Sequence, residues 1–316
     1  MTLTPPDPSR PERTALLLHV GFHKTATTWM QKLLFTAAHN YAQVSDHTEV
    51  FKHVVQPHGF HFNPAPMRDI LNDRIAELDQ GITPVISSEI LSGHPFMGGH
   101  ESDVFAERLH QIAPQARILI SIRAQMRIIP SVYTQYVLRG GTMGPAQFFD
   151  GTDTPGYFGF TPKHFEYDHL VNCYQQLFGA ENVYVQTQES LQVDMALAAQ
   201  NLAGFAGNTN FSGLSTAAQR VHAASYPEHA LPVLRRINHI QSSTLNPNPI
   251  IELGRSPQGL YRAAGFLLRR PPFSNLFGKR KPVYELVHKR FAGFYDDSNA
   301  RLERLIDYPL DLSGYS

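Results

Sequence analysis

Residues Leu16–Trp29 read LLLHVGFHKTATTW, and the fold turns on how this stretch is read. Ala15–Val20 is a short run, apolar apart from His19, as in a parallel strand covered on both faces, and Thr27–Ala38 carries apolar residues at helical spacing. The order is strand, turn, helix. A turn so placed brings free backbone N–H groups and the positive end of a helix dipole to one point, which makes an anion site, and Lys24 adds a full charge. A loop for nucleoside triphosphates needs a glycine, four residues and then Gly-Lys-Ser/Thr. Here His23 precedes the lysine and Gly21 lies three positions upstream of it, so that motif fits poorly. The plainer reading of the same residues is a solvated helix start with Thr25 as N-cap.

Outward from this stretch the pattern repeats. Pro84–Ser88, Ile118–Ile122 and Val183–Thr187 read as further buried strands, with helical patterns at Ser102–Ile112 and Tyr167–Phe178. Such alternation predicts a three-layer α/β/α architecture around a central parallel sheet. Residues 139–163 are rich in glycine, proline and aromatics and read as a surface loop or small insertion of the kind that gates a site. Beyond Phe211 the strand signals fade and the chain reads as mostly helical. The proline-rich residues 1–13 are expected to be a disordered lead-in to a single domain over 14–316.

The 27 basic and 27 acidic residues cancel, which argues against nucleic-acid binding and makes any anion site local. A lone cysteine, Cys173, cannot close an internal disulfide and reads as a small buried hydrophobe. With no long apolar run near the N-terminus, the expected location is cytoplasmic. His53, His58 and His61 are the closest histidine cluster, but no carboxylate or cysteine stands at ligand spacing, so they read as surface or packing residues.

Directly after the strand ILISI comes RAQMRIIPSVY, Arg123–Tyr133, in which Ser131 stands eight residues after Arg123. The two stretches together resemble the sulfotransferases that use 3'-phosphoadenosine-5'-phosphosulfate (PAPS), of the bacterial type. In that family a strand leads to Lys-x-Gly-Thr-Thr-Trp, and an arginine at a later strand end, with a serine eight residues on, binds the 3'-phosphate. Lys24, Thr25, Thr27, Thr28 and Trp29 match the first motif, and Arg123, Ser131 and Tyr133 the second. Ala26 stands where the family has glycine, Gln125 where it has proline, and Arg127 is an added arginine one place early. FEYDHLVNCYQQLFGAENVYVQTQESLQVD and YDDSNARL are looser matches.

The resemblance implies a P-loop-like sulfotransferase fold, PAPS as donor and the bisphosphate PAP as product, with no metal required. It implies a nucleotide site built from His23, Lys24, Thr25, Ala26, Thr27, Thr28 and Trp29 with Arg123 and Ser131. Lys24 would stabilise the leaving phosphate. Glu89, which follows the strand PVISS, is the expected general base and His94 the runner-up. His23 would touch the sulfuryl group or simply pack. The acceptor is expected to be a hydroxyl or amine of a glycan, lipid or small molecule; the oligomeric state is left open. The rival readings are a P-loop phosphotransferase, with Thr25 on magnesium, and a non-catalytic nucleotide-binding protein. The segment 252–290, rich in arginine and lysine with interleaved apolar residues, reads as a lid lending cations to the acceptor side, as a peripheral membrane contact, or as a solvated helical face.

Overall fold

The computed structural model of the chain describes residues 15–152, 154–220, 226–271, 275–276, 278 and 280–315. The expected lead-in 1–13 lies outside these residues. Five strands form one parallel sheet: β1 (Leu17–Gly21), β2 (Tyr41–Ser45), β3 (Thr83–Ser87), β4 (Arg117–Ile122) and β5 (Val183–Thr187), in the order β2-β3-β1-β4-β5. Three of the four strands expected after or including β1 differ in their bounds by a single residue or less. β2 was not legible, because Gln43 is exposed and Ser45 polar; a half-solvated edge strand carries no continuous apolar run.

The period of two along β1 distributes its side chains to two cores. Leu18 and Val20 join Ile86, Ile118 and Ile120 on one face, in a core that extends from Leu16 to Tyr315. Leu17 points to the other face with Val85, Leu119, Trp29 and Leu202. All five residues of the strand are buried, as its hydrophobicity requires. Helices therefore cover both sides, and the layers are α/β/α.

The helix after β1 is shorter than its apolar spacing predicts. One α-turn, Thr27–Trp29, passes into a wider π-helical segment, Met30–Leu34, and the chain leaves the helix at Phe35. The segment 139–163 is a packed insertion with its own helix, Pro145–Asp150, whose Phe148 and Phe149 pack against Phe160. The C-terminal part is helical, as expected, including Leu231–Asn238, Leu260–Leu268, Pro282–Phe291 and Asp296–Leu305. Cys173 is half-buried on the helix Tyr167–Phe178.

Register places the site. His19 stands beside Ser87 of β3 and Gly21 beside Ser121 of β4, so the residues that follow β1, β3 and β4 emerge together at the carboxyl edge. Because β1 is flanked by β3 on one side and β4 on the other, this is the switch point at which connections diverge and a crevice opens.

Candidate functional site

The chain leaves β1 at Gly21 and turns through Phe22–Ala26 before the helical turn. Lys24 and Ala26 both adopt left-handed backbone, with φ of 70° and 69°. That conformation costs a residue with a Cβ about 1–2 kcal/mol and persists only where the surroundings impose it. Beneath the loop lies a buried relay of side chains. Thr25 Oγ1 donates to the Phe22 carbonyl at 2.6 Å, so it must accept from Ser121 Oγ, 2.7 Å away. With the Ser121 proton committed, Ser121 accepts from His19 Nε2 at 2.8 Å, which leaves His19 Nδ1 bare to accept from Ser87 Oγ at 2.7 Å. His19 is thus a neutral Nε2–H imidazole, and full burial pushes its pKa down to about 3. The relay ties the loop to three adjacent strands.

This geometry fixes where the side chains of Thr25 and Trp29 point. Thr25 is fully buried with its hydroxyl turned inward, so it is neither N-cap nor side-chain ligand; Ala26 takes the cap position with no side-chain bond. The Trp29 ring packs in the second core and its Nε1 donates to the Ala218 carbonyl at 2.8 Å, which makes it a structural residue. The helix start leaves the N–H groups of Thr27 and Thr28 without intrahelical acceptors. Thr28 is exposed, and Thr27 Oγ1 is buried without a partner.

Arg123, just past β4, meets this loop. Its Nη1 lies 3.4 Å from the Lys24 carbonyl and 3.4 Å from Ser131 Oγ, so the two motifs come together at one guanidinium. Ser131 lies in the interior of the helix Gln125–Leu138, donating to the Arg127 carbonyl at 3.0 Å. Tyr167 donates to the Arg123 carbonyl at 2.6 Å, while Glu189 accepts from Ala124 N–H and the Tyr315 hydroxyl. Burial lowers the Arg123 pKa, which Glu189 offsets. Gln125, which departs from the family pattern, is buried and donates to the Phe165 carbonyl and to Asn299 Oδ1, fastening the last helix behind the arginine. Tyr133 is buried in the core, its hydroxyl donating to Met143.

The opposite side of Lys24 holds Glu89, His23 and His94. Glu89 opens the single turn Glu89–Ser92 after β3 and is half-buried. Burial pushes the His23 pKa down to about 4, with Glu89 pulling it up and His94, Lys24 and Arg139 pushing it further down. The His94 ring centroid stands 6.2 Å from that of His23, and its Nδ1 accepts from Phe96 N–H at 3.3 Å. Burial and then Arg139 lower the His94 pKa. Lys24 reaches solvent, yet desolvation by its neighbours, then Arg123 and Arg139, hold its pKa below the ordinary lysine value against the pull of Glu89.

Arg139 and His164 belong to this group and were not identified from sequence. Arg139 follows the helix Gln125–Leu138, and Tyr136 one turn earlier touches Phe96, with ring centroids 5.6 Å apart. The His164 ring lies 5.1 Å from that of Phe22; burial, then His23, His94 and His100, push its pKa down to about 3. Both arrive from distant elements, and no local pattern marks them. Among the described residues no group of three or more histidine, cysteine or acidic side chains is arranged to hold a metal ion.

No protein-family model matches the chain, and no curated protein does. Among solved structures it is similar to a sulfotransferase from Alicyclobacillus acidocaldarius, at 15% identity over 72% of this chain and 92% of that one, with a TM-score of 0.46. It is also similar to mouse sulfotransferase SULT7A1 complexed with PAP, at 12% identity over 92% of this chain and 89% of that one, with a TM-score of 0.34.

The left-handed Ala26 gives a stability prediction. Ala26→Gly is expected to raise the urea midpoint by an amount equal to about 1 kcal/mol, since glycine adopts φ near 69° without penalty and serves well as N-cap. A lowered midpoint would mean that packing of the Ala26 methyl outweighs the backbone strain.

Proposed function

We infer that the protein transfers a sulfuryl group from PAPS to a hydroxyl or amine of a glycan, lipid or small-molecule acceptor. The observation that carries this reading is the position of Arg123 Nη1, 3.4 Å from both Ser131 Oγ and the Lys24 carbonyl. A guanidinium fork and a hydroxyl beside a phosphate-binding turn suit a nucleotide with phosphates at both ends of the ribose. The polar capacity left unspent around the turn fits such a molecule: Thr27 Oγ1, Arg123 Nε, His23 Nε2 and Gln188 Oε1 are buried without partners. The phosphotransferase alternative is disfavoured because the Thr25 hydroxyl, the expected magnesium ligand, donates inward to Phe22.

In this reading PAPS supplies an activated sulfuryl group on a phosphate leaving group. Lys24 and the N–H groups of Thr27 and Thr28 face the negative charge that grows on that phosphate, and an anion there relieves the repulsion among Lys24, Arg123 and Arg139. Arg123 and Ser131 hold the 3'-phosphate and fix the nucleotide's register. Glu89 accepts the acceptor proton. His94 is a poorer base, because Nδ1 already accepts from Phe96 N–H and the neutral ring then carries its proton on Nε2, which makes it a donor toward the acceptor.

PAP is expected to bind more tightly than AMP by about 1.5–3 kcal/mol, a factor of roughly ten to a hundred and fifty, because the 3'-phosphate takes up charged hydrogen bonds. Arg123→Ala should abolish most of that preference. Calorimetry with both nucleotides reads it directly, and equal affinity for PAP and AMP would overturn the assignment.

Glu89→Gln should leave PAP affinity unchanged and slow the transfer of radiolabel from PAPS to acceptors in fractionated cell extract by about 10²–10⁴-fold. A larger loss in His94→Ala than in Glu89→Gln would give the base to the histidine.

A further inference from the structure

From Leu253 to Tyr284 the sequence contains Arg255, Arg262, Arg269, Arg270, Lys279, Arg280 and Lys281 and no acidic residue, in a chain whose charges cancel overall. Within it the helix Leu260–Leu268 packs by one line of residues. Tyr261 and Gly265 are buried, Tyr261 donates to the Val137 carbonyl, and a methyl at Gly265 would come within 2.6 Å of the Tyr226 hydroxyl. Gly265 is what allows that close approach.

The outward line is apolar where a solvated helix would be polar. Leu260, Ala263 and Leu267 recur at the three, four and seven spacing of one helix face. Leu260 is 50%, Phe266 47% and Leu267 57% exposed. Just upstream, Ile250 and Leu253 are 102% and 56% exposed. Arg262 and Arg269 flank the apolar line, and the Arg270 guanidinium lies 3.6 Å from the Phe266 ring centroid. Exposed apolar surface this concentrated, with a cationic margin, marks an interaction face.

Charge decides among the occupants. In a two-fold contact with a second copy this face would meet itself, setting one arginine-bordered surface against another with no acidic residue of 253–284 between them. A surface that is apolar beneath and anionic above complements both features. No described helix is long and apolar enough to cross a membrane.

We propose that the outer face of the helix Leu260–Leu268 docks on an anionic lipid bilayer, with Leu260 and Leu267 in the acyl boundary and Arg262, Arg269 and Arg270 among the headgroups. The proposal rests on this surface alone and is independent of the reaction inferred above.

The test is sedimentation of the full chain with phosphatidylcholine vesicles, with and without phosphatidylserine. Partition to the serine-containing vesicles alone is expected, weakening as salt is added. Arg262→Gln should reduce it about fivefold, and Leu267→Gln about tenfold. Both side chains are exposed, so the thermal unfolding midpoint measured in parallel should be unchanged and reports that the fold is intact. Absence of partition, or partition indifferent to Leu267→Gln, overturns the proposal. A dimer in velocity sedimentation that Leu267→Gln dissociates would show a second copy on this face and overturn it as well.

Discussion

The arrangement of the site depends on one buried relay, from Ser87 through His19 and Ser121 to Thr25. Burial keeps His19 neutral, and with a neutral ring each hydroxyl and ring nitrogen in it has one proton assignment that satisfies its neighbours. The relay joins β3, β1 and β4 at the level where their connections diverge and holds the loop with Lys24 and Ala26 in left-handed backbone. In a low-dielectric interior such a chain is strong when every member is satisfied and costly when one is lost. Gly21 belongs to the same constraint: a Cβ there would lie 2.6 Å from Ser121 Oγ and 2.7 Å from His19 Nε2.

Above the relay, charge is sorted by distance from Lys24. Arg123 and Ser131 lie toward β5, where Glu189, Tyr167 and Tyr315 support the arginine; Glu89, His23, His94 and Arg139 lie on the other side. A chain with no net charge therefore presents two local concentrations of cations, one at the sheet edge and one on the outer C-terminal surface. Neither follows from the overall balance of charge.

Much of this was legible in the sequence because strand ends are local. A buried apolar run predicts a strand, the residue after it lies at the sheet edge, and two such runs followed by Lys24 and Arg123 imply that these cations are neighbours. The inward turn of Thr25 was not legible, since it depends on Ser121 in another strand. The helix Gln125–Leu138 runs through Pro130, so Ser131 sits in its interior, which the eight-residue spacing from Arg123 does not reveal. Trp29 matched the family motif and still proved to be a core residue, because motif identity does not tell which way a side chain points. Arg139 and His164 reach the site through tertiary packing of distant segments.

The central claim is that the turn after β1 and the Arg123–Ser131 pair bind opposite ends of one nucleotide. A crystal structure of the protein with PAP tests it most directly. The account predicts the 5'-phosphate on the N–H groups of the turn beside Lys24 and the 3'-phosphate within hydrogen-bonding distance of Arg123 and Ser131. A nucleotide bound elsewhere, or one whose 3'-phosphate points to solvent while Arg123 retains its bonds to Lys24 and Ser131, would contradict it.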